Sequence, residues 1–536
     1  MSLAAQYDGL KKLEQTVFDA LLQELKEAEV KLIQSVSQLR ETQAELKTAE
    51  SEPIQATAKR DTSEKERTTT QEKLEHVQRE LKCFTGMVTH TKAELAQTAD
   101  GLLNVKTLER EARCAQNTGT FNTITFNVAG LPEIINGNDV PGDKTDNTAR
   151  IGQLLTQYDI DLIHVQEDFN YHATLYANDK HPYRTATSGG VPFGSGLNSL
   201  SNFPFTDLER VKWDVCSTFD SADCLTPKGF TFMRLKVAEG VWFDAYNLHA
   251  DAGTTAADLS ARASNLRQVS DHIKTNSVGN AVIVFGDSNT RYTRTGDIPG
   301  VFSTENAMKD VWVELVKKGV APAAGSGDLL CDNPSNNTAC ETVDKVWYRG
   351  SSALTLQATT FDYAGDMFLQ ADGSILSDHN PVLVDWVWTL KGQLQVGDAY
   401  GGEFGDWYND LDTLSKVSNA KVASVTLRGQ DRLDAVSVSL NSGQTLSHGG
   451  TGGTASTLTL NAGETLTAAT LCQGEKDGKT RIFYAQLRTS AGRSVSAGTK
   501  TSTCIEKTAA SGTSFVGFLG RNGDEIDKLG FISLKA

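Results

Sequence analysis

The chain has 536 residues, too many for a single domain and enough for two or three. A formal net charge of −16 and a pI near 5.1 leave no basic footprint for nucleic acid, so a nuclease is the less favoured enzyme class, dependent on a locally positive cleft or bound cations. No apolar run reaches the roughly 18 residues of a membrane-spanning helix, and no positive-then-apolar leader is visible at the N-terminus.

Residues 1–115 are rich in Glu, Lys, Gln, Ala and Leu, and to about residue 112 their only aromatics are Tyr7, Phe18 and Phe84. Leu21, Leu25, Ala28, Leu32, Val36, Leu39 and Leu46 recur at spacings of mostly three and four, which predicts an amphipathic helix with a narrow apolar stripe. Pro53 breaks it, a second helical stretch runs from about Ser63 to Lys82, and a third follows Gly86 and reaches Arg113. A helical hairpin or bundle with partial coiled-coil character is expected, serving either oligomerisation and partner binding or a solvated spacer.

From about residue 119 to residue 390 the pattern changes to apolar runs that each end in a polar cluster. These are Asn127 in TITFNVAG, Glu167 in DLIHVQED, Asn247 and His249 in DAYNLHAD, Asp287 and Asn289 in VIVFGDSN, and Asp378-His379 in LSDHNP. Each lies where a predicted strand gives way to a loop, the usual seat of reactive side chains on a rigid sheet. In NxH and DxN the two polar residues are two apart, so on an extended segment both point to one face. Singly, each cluster reads as a turn, a helix cap or a structural histidine; in succession they indicate a hydrolytic site.

Charge argues for a cation there. If Glu167, Asp287 and Asp378 converge with Asp344 of TVDKVWYR, two carboxylates about 4 Å apart repel by roughly 1 kcal/mol in water and about 4 kcal/mol at an effective dielectric of 20. Several together stay ionised only with a neutralising ion. Carboxylates and the Asn127 amide are oxygen donors, which favours Mg²⁺, Mn²⁺ or Ca²⁺ over zinc and leaves the histidines for proton transfer and phosphate binding.

In this order the motifs resemble the endonuclease/exonuclease/phosphatase superfamily, with its deoxyribonuclease-I-like four-layer α/β sandwich, over about Thr120 to Trp388. The resemblance implies that Asn127 and Glu167 bind the metal with Asp378 close to it. It implies that Asp287 and Asn289 orient and activate the attacking water, that His379 is the acid/base residue held by Asp344, and that His249 hydrogen-bonds the scissile phosphate. Ser288 stands where the family often has an aromatic residue or Thr, and is expected to pack beneath the site. The segment Pro227-Lys228-Gly229-Phe230 is similar to a Lys-Gly of neutral sphingomyelinases, where Lys228 would place a cation on the phosphate; an ordinary strand-start Lys beside a turn Gly is the other reading. GSGLNSLSNFP, residues 194–204, looks like a family strand, with Asn198 and Asn202 replacing more usual residues.

Of eight cysteines, six form neighbouring pairs: Cys216 with Cys224, Cys331 with Cys340, and Cys472 with Cys504. Disulfides closing such loops each contribute about 3 kcal/mol in the chain-entropy picture and persist mainly outside the cytosol. No CxxC zinc pattern occurs, and a glycosylation sequon, Asn336-Asn337-Thr338, falls inside the second loop. A secreted enzyme is expected, its leader missing or replaced. Cys83 and Cys114 belong to the helical segment.

After Trp388 comes a short polar connection, Lys391 to Gly397, and residues 399–536 turn Gly-, Ser- and Thr-rich with short alternating strands, predicting an all-β prism or barrel. Gly401-Gly402, HGGTGG at 448–453, LNAGE and FLGRNGDEIDKLG resemble the jacalin-type lectins. The resemblance implies a sugar site in which Gly523, Asp524, Glu525 and Asp527 form the GxxxD loop with Gly402 nearby. The aromatic that often stacks on sugar there is replaced by Asp524 and Glu525, implying weak or altered specificity, and a purely structural prism is the alternative.

The sequence therefore predicts a helical N-terminus, an α/β sandwich and a β-prism. Its expected function is metal-dependent hydrolysis of a phosphodiester or phosphomonoester, sphingomyelinase-like or of inositol-phosphate type, targeted by carbohydrate binding. A divalent-metal-dependent nuclease and a carbohydrate-binding adhesion or toxin-like protein are the alternatives. The second fits poorly, because a pure adhesin has no use for Asp287, Asn289 and His379 together.

Overall fold

A computed structural model describes residues 117–132, 140–217 and 223–535; the predicted helical segment and its suggested oligomerisation lie outside these residues. Among the described residues the central segment forms two sheets. The first contains β1 (Thr118–Asn127), β2 (Leu162–Gln166), β3 (Tyr183–Arg184), β4 (Asn198–Ser201), β11 (Leu354–Ala358), β12 (Asp362–Tyr363) and β13 (Val382–Leu390), in the order β11-β13-β1-β2-β4-β3 with β12 beside β13. The second contains β5 (Phe205–Lys212), β6 (Gly229–Ala238), β7 (Val241–His249), β8 (Ala281–Asp287), β9 (Lys309–Asp310) and β10 (Asp344–Arg349), in the order β5-β6-β7-β8-β10-β9.

Side-chain alternation builds the layers. Along β8, Ala281, Ile283 and Phe285 join a core between the sheets with Phe121, Leu162, Phe243 and Trp386, while Val282 and Val284 face outward. The outward residues are covered by α2 (Ala256–Asn276) through Leu266, Val269 and Ile273. On the other outer face α1 (Lys144–Gln157) packs Ile151, Leu154 and Leu155 on Ile124, Phe126, Ile163 and Val165. Each fully buried Ile, Leu or Phe contributes about 1.5–3 kcal/mol. Thr255 starts α2 with a capping box: its hydroxyl accepts from Asp258 N and the Asp258 carboxylate accepts from Thr255 N, satisfying donors the helix cannot. The result is the expected α/β sandwich, helix–sheet–sheet–helix.

This arrangement fixes where chemistry can occur. β1 and β2 run parallel, as do β7 and β8, so Asn127, Glu167, His249 and Asp287 all fall at one end of the sandwich. β10 is antiparallel to β8 with Asp344 opposite Asp287, and β13 starts just after Asp378-His379, so these join the same end. The Cys216–Cys224 and Cys331–Cys340 disulfides form as predicted and staple loops of this domain. Among the described residues no helix is long and apolar enough to cross a membrane.

The C-terminal segment is β-rich, with one short helix at Leu411–Leu414: a four-stranded sheet stands against a nine-stranded one, around Val425, Leu427, Val436, Leu471, Leu487, Phe518 and Ile532. Cys472 and Cys504 face each other on neighbouring strands and are bonded.

Sandwich and β-domain make one compact unit. Their seam centres on Asp207, which a bulge in β5 places at positive φ and which is only 3% exposed. Arg234 lies 2.9 Å from the Asp207 carboxylate and 3.1 Å from that of Asp244, and its guanidinium stacks 3.4 Å from the centre of the Trp407 ring. Lys528 of the β-domain also pairs with Asp207, Trp407 Nε1 donates to Val278 O, and Lys236 pairs with Asp398.

Burial pushes the Asp207 carboxyl up, but Arg234 and Lys528 outweigh it and hold it below the ordinary carboxylate range. A lowered carboxyl contributes its stability fully above the unfolded value of about 3.9 and loses it as pH falls through the folded value. Asp207→Asn leaves the cations without their partner and is expected to cost about 3 kcal/mol at pH 7. Urea denaturation should show that cost constant above about pH 4 and shrinking below it; a pH-independent difference would contradict this account.

Candidate functional site

The site starts from strand ends. Asn127, 1% exposed at the end of β1, donates from Nδ2 to Glu167 Oε1 (3.2 Å) and to Asp287 Oδ2 (3.1 Å), so one amide joins the two sheets. Glu167 follows β2 in the left-handed region, φ 57°, which turns its side chain into the cleft. A Cβ on Gly130 would sit 2.3 Å from Glu167 O, so that close approach requires glycine. Glu167 Oε1 is held by Asn127, whereas Oε2 is buried with no protein partner. Burial raises the Glu167 carboxyl, against the opposing pull of Lys228 and the Asn127 hydrogen bond.

On the second sheet His249 Nε2 lies 3.4 Å from Asp287 Oδ2 and 3.2 Å from Lys228 Nζ, and Lys228 also pairs with Asp223. Burial, reinforced by the charges of Lys228 and His379, holds His249 well below the ordinary histidine range, so it is neutral. Asp287 Oδ1 accepts from Asn289 N at 3.0 Å, and the Asn289 side chain donates to Ala250 O. Ser288 is buried beneath this turn, its hydroxyl donating to Val343 O at 2.6 Å.

Asp344 Oδ2 holds His379 Nδ1 at 2.9 Å, which aims Nε2 toward Asp287 Oδ2, 3.8 Å away. Burial depresses His379, but Asp344 and Asp287 outweigh it and raise the imidazole well above its usual range. Asp287, Asp344 and His379 offer ligand atoms within 4.8 Å of one another. That cluster differs from the predicted Asn127, Glu167 and Asp378 set: Asn127 and Glu167 are in contact, while Asp378 is exposed at the mouth.

The structure thus gathers Asn127, Glu167, Lys228, His249, Asp287, Asn289, Asp344 and His379, with Asp378 at the rim. Asn247 does not join them; its side chain ties Gln166, Val165 O and Asn198 O between the sheets. Ser377 was missed by sequence reading: its hydroxyl donates to Asn127 O (2.6 Å) and accepts from His379 N (3.2 Å), fixing the SDH loop to β1. A serine beside a chemical motif carries no signal of its own.

The predicted sugar loop has a divided character. Gly523 and Asp524 are exposed, and Gly402 N donates to Asp527 O at 2.8 Å, as the expected proximity requires. Glu525 and Asp527 are buried and ion-paired: Arg432 grips Glu525 with two bonds, Lys476 adds a third, and Arg481 lies 3.1 Å from Asp527. The HGGTGG loop packs on this segment so closely that a Cβ on Gly450 would meet Asp524 O at 2.3 Å.

Comparison with known proteins finds two matching domains. Residues 123–325 match the Endonuclease/Exonuclease/phosphatase family 2 and residues 397–532 match the Jacalin-like lectin domain. A sphingomyelinase of Mycobacterium bovis is 35% identical over 277 residues, covering 50% of this chain and 52% of the relative, and a Mycobacterium tuberculosis sphingomyelinase matches to the same extent. The chain spans about half the length of these relatives. Among solved structures, sphingomyelinase C from Streptomyces griseocarneus is 18% identical over 50% of this chain and 99% of its own (TM-score 0.36). Malaysian banana lectin F84T is 22% identical over 27% and 99% (TM-score 0.24). Both domain resemblances read from the motifs are thereby shown.

Gly130→Ala is expected to destabilise the protein by about 1–3 kcal/mol, because its methyl meets backbone rather than a yielding side chain. Chemical denaturation of the purified variant measures this, and a neutral substitution would show that the Glu167 turn tolerates more space than its geometry allows.

Proposed function

We propose that the chain is a divalent-metal-dependent phosphodiesterase of sphingomyelinase type, acting by activated water and concentrated on glycan-bearing surfaces by its C-terminal domain. The observation that carries the reading is the convergence of Asn127, Glu167, Asp287, His249 and the Asp344–His379 pair at one end of two sheets. The 35% identity to curated sphingomyelinases over the catalytic half supports the substrate class.

The residues fit a hard cation. Glu167 Oε2 is a buried oxygen without a protein partner, as is Asp344 Oδ1, and carboxylate oxygens are the donors a hard cation takes. Asn127 and Glu167 would hold the ion with Asp378 close by. When bound it supplies charge neutralisation for a phosphoryl oxygen.

The chain's own groups divide the remaining work. Asp287, oriented by the Asn289 backbone N–H, positions and activates the water. His379, its Nδ1 fixed by Asp344, moves a proton at Nε2. His249, kept neutral by burial, and Lys228 beside it face the phosphate, where the ammonium counters charge that grows in the transition state. The three disulfides and the exposed Asn336 sequon support a secreted setting.

Hydrolysis of sphingomyelin should disappear in EDTA and return with Mg²⁺ or Mn²⁺, with phosphoinositides and DNA as comparison substrates. Glu167→Gln should weaken rate and metal dependence together. His379→Ala and His249→Ala should each lower kcat by about 10²-fold or more, and Asp344→Asn should reproduce part of the His379 loss. Full activity in chelator, or near-normal turnover without His379, defeats the mechanism.

For the C-terminal domain, Asp527 and Gly402 are proposed to form the sugar site with the exposed Gly523-Asp524 edge and Glu525. Binding there requires Arg481 to share its carboxylate with sugar hydroxyls. Asp527→Asn should abolish retention on a mannose or galactose resin while hydrolysis of a soluble substrate continues. No binding by the intact protein on a broad glycan array would leave the domain a structural role.

A further inference from the structure

The β-domain repeats one hairpin design three times. Its strand pairs are Val422–Gly429 with Leu433–Leu440, Thr513–Asn522 with Ile526–Lys535, and Leu466–Lys476 with Lys479–Thr489. Near the turn of each, a bulge leaves one residue without a cross-strand partner: Asp434, Asp527 and Phe483, in that order. A bulge re-aims its extra side chain, so the fold presents one side chain at a matching place in each repeat. Asp527, the proposed sugar carboxylate, is one of the three.

The backbone around Asp434 repeats that around Asp527 contact for contact. Gly402 N donates to Asp527 O at 2.8 Å, and Gly450 N donates to Asp434 O at 2.9 Å. A Cβ on Gly401 would collide with Asp527 O, and one on Gly449 with Asp434 O. A Cβ on Gly405 would stand 2.6 Å from Asp527 Oδ2, and one on Gly453 2.5 Å from Asp434 Oδ2. Arg521 Nη1 donates to Gly405 O at 3.1 Å, and Arg428 Nη1 to Gly453 O at 2.8 Å. Gly402 packs on Thr480 and Gly450 on Asp524, so each site takes its flank from a different hairpin. The third repeat keeps the backbone bond, Thr499 N to Phe483 O at 2.9 Å, but has a ring in place of the carboxylate. The loop motif hides the match, because Gln430 stands where the second repeat has Gly523. The space beside Gly523 is open, so a longer side chain fits there.

The two carboxylates differ in how free they are. Asp527 is 2% exposed and lies 3.1 Å from Arg481. Asp434 is partly exposed, and no described residue makes a hydrogen bond or ion pair with its carboxylate. Arg428 and Arg432 attract it, while Glu525 and Asp431 repel it. Arg432 is itself committed to Glu525 through two bonds. Cations and neighbouring carboxylates thus offset each other, which favours a neutral ligand over an ion. A carboxylate with unshared oxygens is a strong acceptor for sugar hydroxyls. At the turn beside it the N–H groups of Asp431 and Arg432 donate to no described residue, which supplies donors for the sugar's own oxygens.

We propose that Asp434 and the Gly449–Gly453 segment form a second carbohydrate site, for a neutral hexose, related by the internal repeat to the one at Asp527 and Gly402. One chain would then hold a glycan-bearing surface at two points. The inference rests on the sugar-binding reading of this domain. Two weak sites on one rigid domain act through effective concentration, so retention on a surface needs both, whereas free sugar fills each singly.

Equilibrium dialysis of the full chain against methyl α-mannoside and methyl α-galactoside counts the sites, with about two equivalents expected for the glycoside that binds. Asp434→Asn keeps the shape but not the charge. It should weaken one equivalent by about tenfold or more, as Asp527→Asn should the other. Retention of Asp434→Asn on the matching resin should be lost. Its urea midpoint should equal that of the wild type, because this carboxylate has no partner to lose; a lowered midpoint contradicts the free carboxylate on which the site is built. A single wild-type equivalent that Asp527→Asn removes and Asp434→Asn keeps overturns the second site and leaves the sugar-binding reading intact. A single equivalent that only Asp434→Asn removes supports the inference and overturns the assignment to Asp527. Failure of both glycosides to bind the wild type defeats the inference together with the reading beneath it.

Discussion

Asp344 lies directly across the β8–β10 ladder from Asp287, and both side chains are buried in the same cleft as Glu167. Like charges opposed on neighbouring strands destabilise a sheet, and burial multiplies the penalty by removing the solvent that would screen them. The fold holds this arrangement only because each carboxylate has a counterpart: His379 for Asp344 and, at 3.8 Å, for Asp287, the Asn127 amide for Asp287, and Lys228 nearby for the group. Two carboxylate oxygens in the cleft, Glu167 Oε2 and Asp344 Oδ1, are left with no hydrogen-bond partner. The surroundings follow from that concentration of charge. The left-handed backbone at Glu167 and Asn289, the glycine at 130 and the Ser377 clamp all serve to bring acidic groups closer than an unconstrained chain would allow.

The same electrostatic logic recurs at the opposite end of the sandwich with a different outcome. Around Asp207 the carboxylate is paired with both Arg234 and Lys528, and Trp407 covers Arg234. A buried ion network of this kind contributes less to net stability than to uniqueness of docking, since any other placement of the β-domain strands its charges. At the catalytic end the charges are left incompletely matched, which suits a site that must still receive a ligand.

Much of this was legible in the sequence, for physical reasons. Strand alternation and the switch from apolar run to polar cluster are local signals, so the positions of Asn127, Glu167, His249, Asp287 and His379 at strand ends could be read without coordinates. The disulfides were legible because their cysteines are near neighbours or sit on adjacent strands. What could not be read were partnerships made by tertiary folding. Arg234 and Trp407 are far apart in sequence and each is unremarkable alone. Asp527 and Glu525 fit a sugar-loop motif, yet their pairing with Arg432, Lys476 and Arg481 depends on strands from other parts of the domain.

The relation between the two ends follows from strand geometry. β8 starts beside Asn280, which accepts from the β-domain's Asn409, and ends at Asp287 in the cleft. Seven residues of extended chain therefore separate the seam from the Asp287 carboxylate, on the order of 23 Å at about 3.3 Å per residue. The β-domain thus contributes no wall to the catalytic cleft, and its influence on the reaction must pass through position. With the seam locked by Asp207, Arg234 and Trp407, a surface that holds the β-domain also sets the direction in which the cleft faces. A flexible tether would raise local concentration in all directions, whereas this docking restricts the cleft to substrates presented on one side.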